Sequence, residues 1–406
     1  METDFSATIP DADDAENRLS FRRLLSAAIE LRASDVHIDP STTGFTIRMR
    51  IDGMLVETTR LDQKAGQRLT NQLKAEVGID PGRNFTPRAS RHSYKIGDSE
   101  LDIRITLVPC VSGEKIAIRM LDPDRVMHRI EDLGVSKDGL QHFREWLGGL
   151  TGMFLVSGAT SSGKTTTLYA LLHELAERKQ HVLTIEDPVE YEIDGINQIQ
   201  VGRGHGLDFA SGLKSMLRLD PDYMMVGELR DPETVDVAAR AATSGHTLLS
   251  TIHARDAVST VTALRNYGMT GNQIAVTVSV IVNQRLVRKL CTHCREKEAI
   301  TDNERAWLEE RGIRPHRDLW TATGCKECLN TGYSARTGIF EVWRLNATDY
   351  DMLLSGADER NIRRVLAQNH HESLVADAWK KIESGTTSLS EVRRATGALR
   401  ADDWQL

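Results

Sequence analysis

The tightest constraint on how this chain folds is Gly158-Ala159-Thr160-Ser161-Ser162-Gly163-Lys164-Thr165, which satisfies G-x-x-x-x-G-K-[ST]. Its flanks matter as much as its letters. Met153-Phe154-Leu155-Val156-Ser157 reads as a buried strand, and Thr166 to Arg178 as a helix carrying Leu168, Leu171, Leu172 and Leu175. Strand, glycine-rich turn and helix in that order let backbone N–H groups close around phosphate at a helix N-terminus. Lys164 is placed to neutralise the β- and γ-phosphates. Thr165 is placed to hold Mg²⁺, and Thr166 closes the set.

A chain of 406 residues predicts about two or three domains. With 51 basic and 58 acidic residues the balance is mildly acidic, which argues against a general nucleic-acid footprint. No run of about 18 apolar residues offers a membrane span. Met1 to Glu16 is acidic and lacks the basic and apolar regions of a signal peptide. The expected location is the cytoplasm.

Residues 1–18 are expected to be a disordered acidic tail. The first domain, 19–124, is expected to be α+β. Leu19 to Arg32 reads as an amphipathic helix and Ala65 to Val77 as a second one. Val36–Ile38, Phe45–Ile51, Leu101–Ile105 and Ile116–Met120 read as short strands, with a turn at Asp52-Gly53. Asp122-Pro123-Asp124 opens a polar linker over 125–133. The second domain, 134–290, alternates helices with the buried strands 182–186, 223–228 and 247–253. That pattern predicts a parallel α/β sheet with ligands at the strands' carboxyl ends. Residues 291–345 are expected to form a cysteine-bearing module, and 346–406 a helical subdomain.

The chemistry-bearing residues gather at those strand ends. Glu186 and Glu228 each close an apolar strand; we expect Glu186 to be the general base and Glu228 to reach Mg²⁺ or its water. His253 ends a third strand, where it is placed to contact the γ-phosphate. Transferring phosphoryl charge needs guanidinium groups. Arg104 and Arg119 on first-domain strands, and Arg218 and Arg230 flanking the Glu228 strand, are the candidates. Surface salt bridges are the ordinary alternative for each arginine.

Four of five cysteines form two C-x-x-C pairs, Cys291/Cys294 and Cys325/Cys328, separated by thirty residues. Such pairs suit tetrahedral Zn²⁺ thiolate coordination, although the gap exceeds the common ~15–20 residues. A redox pair or plain reduced thiols are the alternatives. Cys110 is expected to be a small buried side chain.

These motifs, in this order, resemble the hexameric ATPases of type II secretion and type IV pilus assembly from about Ala33 to Thr396. The resemblance is carried by Ala33-Ser34-Asp35-Val36-His37-Ile38-Asp39-Pro40, Ile51-Asp52-Gly53 and Gly113-Glu114-Lys115. It continues through Thr166-Thr167-Leu168-Tyr169 after the P-loop, Glu186-Asp187-Pro188-Val189-Glu190-Tyr191 and Gly227-Glu228-Leu229-Arg230-Asp231. Gly245-His246, Ser250-Thr251-Ile252-His253 and Gln284-Arg285-Leu286-Val287 complete it. It implies a PAS-like α+β domain joined to a RecA-like ATPase domain, with ATP, Mg²⁺ and Zn²⁺ as cofactors. It implies a ring of six acting on an inner-membrane platform protein, peripheral membrane association through partners, and no nucleic acid. It also implies that the four arginines approach nucleotide across domain interfaces, and that the extra N-terminal domain of many relatives is absent.

Three positions depart from the family pattern. Ser161 stands where glycine is usual, Ala159 where proline is usual, and Arg255 where asparagine is usual. If position 161 needs a positive φ, its serine carries strain. A pilus retraction motor of the same superfamily, a nucleic-acid translocase and a non-hydrolysing nucleotide scaffold are the competing readings.

Overall fold

Alternation of buried and open residues shapes the first part of the chain. The computed structural model describes residues 20–80, 86–96, 99–121, 129–149, 151–202, 206–310, 313–315 and 318–397. The tail expected over 1–18, the linker entry at 122–128 and residues 398–406 lie outside them. The chain divides into two units, Met1–Arg125 and Val126–Leu406.

In the first unit the order is α1 (Phe21–Glu30), β1 (Ala33–Pro40), β2 (Phe45–Ile51), β3 (Met54–Leu61), α2 (Gln63–Glu76), β4 (Arg88–Ile96), β5 (Ser99–Cys110) and β6 (Gly113–Leu121). Ser20 caps α1 by accepting from the Arg23 N–H, and Asp62 caps α2 by accepting from the Ala65 N–H. The six strands form one antiparallel sheet ordered β3-β2-β1-β6-β5-β4. Val36, Ile38, Ile47, Met49, Ile103, Ile105, Ile116 and Ile118 are all buried on one face. The α+β expectation holds. The two strands that sequence reading passed over, β3 and β4, are the sheet's edges. Edge strands bury less and carry charge, as Arg88 and Arg91 do on β4, so their apolar alternation is weak.

Cys110 corrects an expectation: it is exposed, not buried. It is the last residue of β5, paired with Gly113 across the turn. Leu107 takes the covered side of β5, which leaves Val108 and Cys110 on the open side.

The second unit begins within the segment expected as a linker over 125–133. Ile130–Leu133 forms a 3₁₀ turn whose Ile130 and Leu133 sit in the core beside Trp146. Then come α3 (Lys137–Leu147), β7 (Gly152–Ser157), α4 (Lys164–Glu177), β8 (Val182–Glu186), β9 (Asn197–Gln200), α5 (Phe209–Met216) and β10 (Tyr223–Val226). They are followed by α6 (Pro232–Thr243), β11 (Thr247–Ile252), α7 (Ala257–Asn266), α8 (Gly271–Thr277) and the long β12 (Val278–Leu290). Seven strands form a sheet ordered β15-β12-β7-β11-β10-β8-β9. Its neighbours pair in parallel except β15 (Tyr333–Arg344), which runs antiparallel to β12.

Strand β7 shows why this sheet is buried on both sides. Met153 and Leu155 pack with α5 to α8, while Phe154 and Val156 pack with α3 and α4. Parallel pairing brings the carboxyl ends of β7, β8, β10 and β11 to one edge.

The cysteine module is an excursion at the far end of the β12–β15 hairpin. It contains β13 (Glu296–Glu298), α9 (Asp302–Glu309) and β14 (Leu319–Thr321). The chain ends in α10 (Ala347–Leu354), α11 (Glu359–Gln368), α12 (Leu374–Glu383) and α13 (Leu389–Thr396). Leu308, Ile313 and Leu319 of the module share one apolar cluster with Leu374, Val375, Ala378, Ile382, Leu389 and Val392 of α12 and α13. The module and the last two helices therefore form a single packed body.

Candidate nucleotide site and metal centre

The P-loop leaves β7 at Gly158 and enters α4 at Lys164. Gly158 has φ 152°, and a Cβ there would lie 2.6 Å from the Gln284 carbonyl oxygen, so only glycine fits. Gly163, at φ 89°, is the helix N-cap. Ser161 also adopts a left-handed conformation, φ 62°, so the serine occupies the geometry for which glycine is suited. Replacing it tests the strain: Ser161→Gly should raise stability by about 1 kcal/mol, read as a higher midpoint in thermal unfolding. An unchanged or lower midpoint removes the strain argument.

Lys164 Nζ arches back over the loop and donates to the carbonyl oxygens of Gly158 (3.1 Å) and Ala159 (3.0 Å). Burial lowers its pKa, the nearby Arg285 cation lowers it further, and Glu228 opposes both. Thr165 is exposed on the first turn of α4, and Thr167 is buried beneath the loop.

At the same edge, the segments after β8, β10 and β11 bring Asp187, Glu228, Arg230 and His253 together. Arg230 Nη1 lies 2.9 Å from one Glu228 oxygen, and Arg230 Nη2 lies 3.6 Å from Asp187. His253 Nε2 lies 3.9 Å from the other Glu228 oxygen. The Leu229 N–H donates to Thr251 O, and Thr251 Oγ1 donates to Gly227 O, which locks the two segments together. Glu228 remains partly open to solvent, with 31% of its side chain exposed.

Glu186 sits differently. It is 4% exposed, and both of its oxygens already accept hydrogen bonds. Tyr169 O–H donates at 2.5 Å, Thr184 O–H at 2.6 Å and Gln198 Nε2 at 3.2 Å. Burial and the Glu186 charge push the Tyr169 phenol far above its ordinary pKa, so it stays a donor. Three satisfied donors fix the buried Glu186 carboxyl group between α4 and β9.

The candidate arginines separate. Arg230 joins the cluster and also stacks over Phe209, 4.9 Å from the ring centre. Arg218 is exposed on the segment between α5 and β10, which leads into the amino end of β10, the opposite sheet edge. Arg104 and Arg119 face each other across β5 and β6 in the first unit, and Arg119 also pairs with Asp35 at 3.3 Å. Arg255 follows His253, 3.7 Å from Glu359 of α11.

Sequence reading places Asp187, Gln284 and Arg285 within motifs without giving them a role in the site, and it passes over Asn283. The β12 triplet of Asn283, Gln284 and Arg285 is a polar run in the buried middle of the strand, and that is the signal that marks it.

The four cysteines converge. The Sγ atoms of Cys291 and Cys325 lie 3.9 Å apart, those of Cys294 and Cys328 3.8 Å, and those of Cys325 and Cys328 3.8 Å. All four lie within 4.8 Å of one another. Tetrahedral Zn²⁺ with Zn–S of about 2.3 Å requires S···S of about 3.8 Å, so the donor set fits that ion. At Cys328 burial disfavours the thiolate, yet the N–H groups of Cys325 and Gly332 outweigh it and bring the thiol down to about 7.

The family described as "Type II/IV secretion system protein" matches residues 11–394. This chain belongs to that family. It is 36% identical over 384 residues to the type II secretion system protein E of Aeromonas hydrophila, covering 95% of this chain and 76% of that one. It is 36% identical over 386 residues to the type IV pilus assembly ATPase PilB of Myxococcus xanthus, covering 94% and 68%. Among solved structures, the X-ray structure of the Legionella pneumophila ATPase DotB is similar with a TM-score of 0.70 at 21% identity, covering 96% of this chain and 99% of that one. The pilus retraction motor PilT with bound ADP is similar with a TM-score of 0.62 at 23% identity, covering 93% and 97%. These two structures share the fold. As a member of the secretion family with a complete P-loop, the chain is an ATPase.

Proposed function

We propose that this secretion-family ATPase works as a ring of six that powers assembly of a type IV pilus or a type II secretion pseudopilus. It acts from the cytoplasmic side on an inner-membrane platform protein. The observation that supports this best is the strand-end cluster of Glu228, Arg230 and His253 beside a P-loop, in a chain 36% identical to both kinds of assembly protein. Among the described residues no helix is long and apolar enough to cross a membrane; in this reading membrane association comes through partners. The net charge of −7 gives no support to a nucleic-acid partner.

In this reading the backbone from Gly158 to Thr166 cradles the phosphates of ATP. Lys164 leaves the loop carbonyls to pair with them, and Thr165 holds Mg²⁺. The metal, when bound, neutralises charge on the phosphate oxygens. Glu228 orients the attacking water, and His253 contacts the γ-phosphate from the neighbouring strand end. Glu186 fixes α4 against β8 and sets the field at the site, which leaves Glu228 as the open carboxylate for the base's role. Arg230 holds Glu228 and Asp187. Arg104 and Arg119 bring positive charge from the first domain, and Arg218, on the other sheet edge, serves a neighbouring subunit. Cys291, Cys294, Cys325 and Cys328 hold Zn²⁺ as a structural ion.

Cross-linking and pull-down from the native cells, with mass spectrometry of the partners, tests the proposal. The expected result is a polytopic inner-membrane protein together with pilin-like subunits. DNA-processing proteins with no membrane platform would overturn it in favour of a translocase.

A further inference from the structure

Asn283, Gln284 and Arg285 stand in sequence on β12 and are 0%, 1% and 8% exposed. A strand seldom buries three polar residues in a row, because each costs about 1–3 kcal/mol if left unpaired. Here all three donate into two loops of the site, and Asn283 Oδ1 is the one buried polar side-chain atom of the triplet without a partner. Asn283 Nδ2 donates to Ser157 Oγ (2.9 Å), at the end of β7, and to the Ala254 carbonyl (3.3 Å), one residue past His253. Gln284 Nε2 donates to Ser162 O in the P-loop (2.8 Å), and Gln284 Oε1 accepts from Thr167 of α4 (2.8 Å). Arg285 Nη1 donates to Gln284 O (3.0 Å) and Nη2 to the Arg255 carbonyl (2.7 Å).

The contact with the P-loop is also steric. A Cβ on Gly158 would fall 2.6 Å from Gln284 O and 3.2 Å from Arg285 Nη1, so the loop's first residue rests on the triplet. From the other side, Arg363 Nη2 holds Asp256 (2.8 Å), and Glu341 Oε2 accepts from the Ala257 N–H (3.1 Å). Every residue from Ala254 to Ala257 is thereby held by a buried or half-buried side chain. Two of those four holds come from β12, the strand that also contacts the P-loop through Gln284.

We propose that Asn283, Gln284 and Arg285 are positioning residues that couple the P-loop to the loop bearing His253, with Arg285 as the principal link. Closure of the P-loop around phosphate presses on Gly158. Gly158 bears on Gln284 and Arg285, and Arg285 transmits the displacement to the Arg255 carbonyl and so to His253. The inference rests on the reading that His253 contacts the γ-phosphate.

The test is a double-mutant cycle between Arg285→Gln and His253→Ala, read as kcat and KM for ATP. The expected result is a kcat about tenfold lower or more for Arg285→Gln with KM within about threefold, since the phosphate contacts stay in place. The double variant should then be no slower than the slower single variant. If Arg285→Gln shows no cooperative thermal transition, Arg285→Lys is measured in its place; its single nitrogen lacks the planar fork that reaches the two carbonyls from separate Nη1 and Nη2 atoms. Full additivity of the two defects, an unchanged kcat, or a raised KM with kcat intact would overturn the coupling and leave the reading of His253 standing. His253→Ala turning over at the wild-type rate would sink that reading and the coupling with it.

Discussion

Glu228→Gln is expected to bind ATP with near-normal affinity and to hydrolyse it about 10²–10³-fold more slowly. The substitution keeps the size of the side chain and removes its charge. Glu228 is the carboxylate left partly open at the strand ends, with Arg230 at 2.9 Å on one oxygen and His253 at 3.9 Å from the other. An amide there cannot polarise water, and its NH₂ would face one of those two donors. The P-loop, which supplies most of the affinity, is untouched. Binding of a fluorescent ATP analogue together with phosphate release separates the two effects. Turnover within about threefold of the wild type would shift the base's role back to Glu186. Glu186→Gln is the control: its NH₂ would oppose Tyr169 or Thr184 at 2.5–2.6 Å, so its loss should appear in the thermal midpoint as well as in rate.

Removing the metal is expected to loosen far more than the cysteine knuckles. Structural Zn²⁺ in small modules has an apparent binding free energy of about 10–16 kcal/mol, much of it spent on folding. Here, among the described residues, the module shares its core with the last two helices. Its Leu308, Ile313 and Leu319 are buried against α12 and α13. The segment after α12 is stitched to the module's base. The Leu290 N–H donates to Thr386 O, Thr387 Oγ1 donates to Arg288 O, and Arg295 donates to Gly385 O. Trp320 lies under Arg295, and a Cβ at Gly385 would strike its ring. Chelation, or Cys325→Ser, should therefore raise amide hydrogen exchange across 374–396 as well as across 291–332, with one equivalent of zinc released per chain. Exchange confined to the knuckles would mean that the helices hold without the ion. Unchanged exchange throughout, with no zinc found, would turn the four thiols into a reduced cluster.

Local patterning made much of this readable in advance. The strand, P-loop and helix from Gly152 to Glu177 fell within two residues of expectation, because each carries a strong short-range signal: a wholly buried strand, a glycine turn and a leucine-bearing helix. The β8 strand ending in Glu186 was read to the residue, and β10 and β11 within two residues. The edge strands β3 and β4 were not, since half-covered strands lose the alternation that reveals them. Strand β12 escaped for the opposite reason: its polar triplet breaks the apolar run, and nothing local says that those side chains have partners 29 to 126 residues away.

The sequence by itself determined the phosphate loop, the order of strands and helices around it, the acids and histidine closing those strands, and the two cysteine pairs. These depend on spacing within a few residues, which the chain's own stereochemistry enforces. Only the tertiary structure decided that Glu186 is buried and saturated while Glu228 is open, that Arg218 lies on the opposite sheet edge from Arg230, and that Cys110 is exposed. It alone decided that the cysteine module shares its core with the last helices. Each of these depends on how strands pair and segments pack in space, which is settled through burial rather than through any local signal.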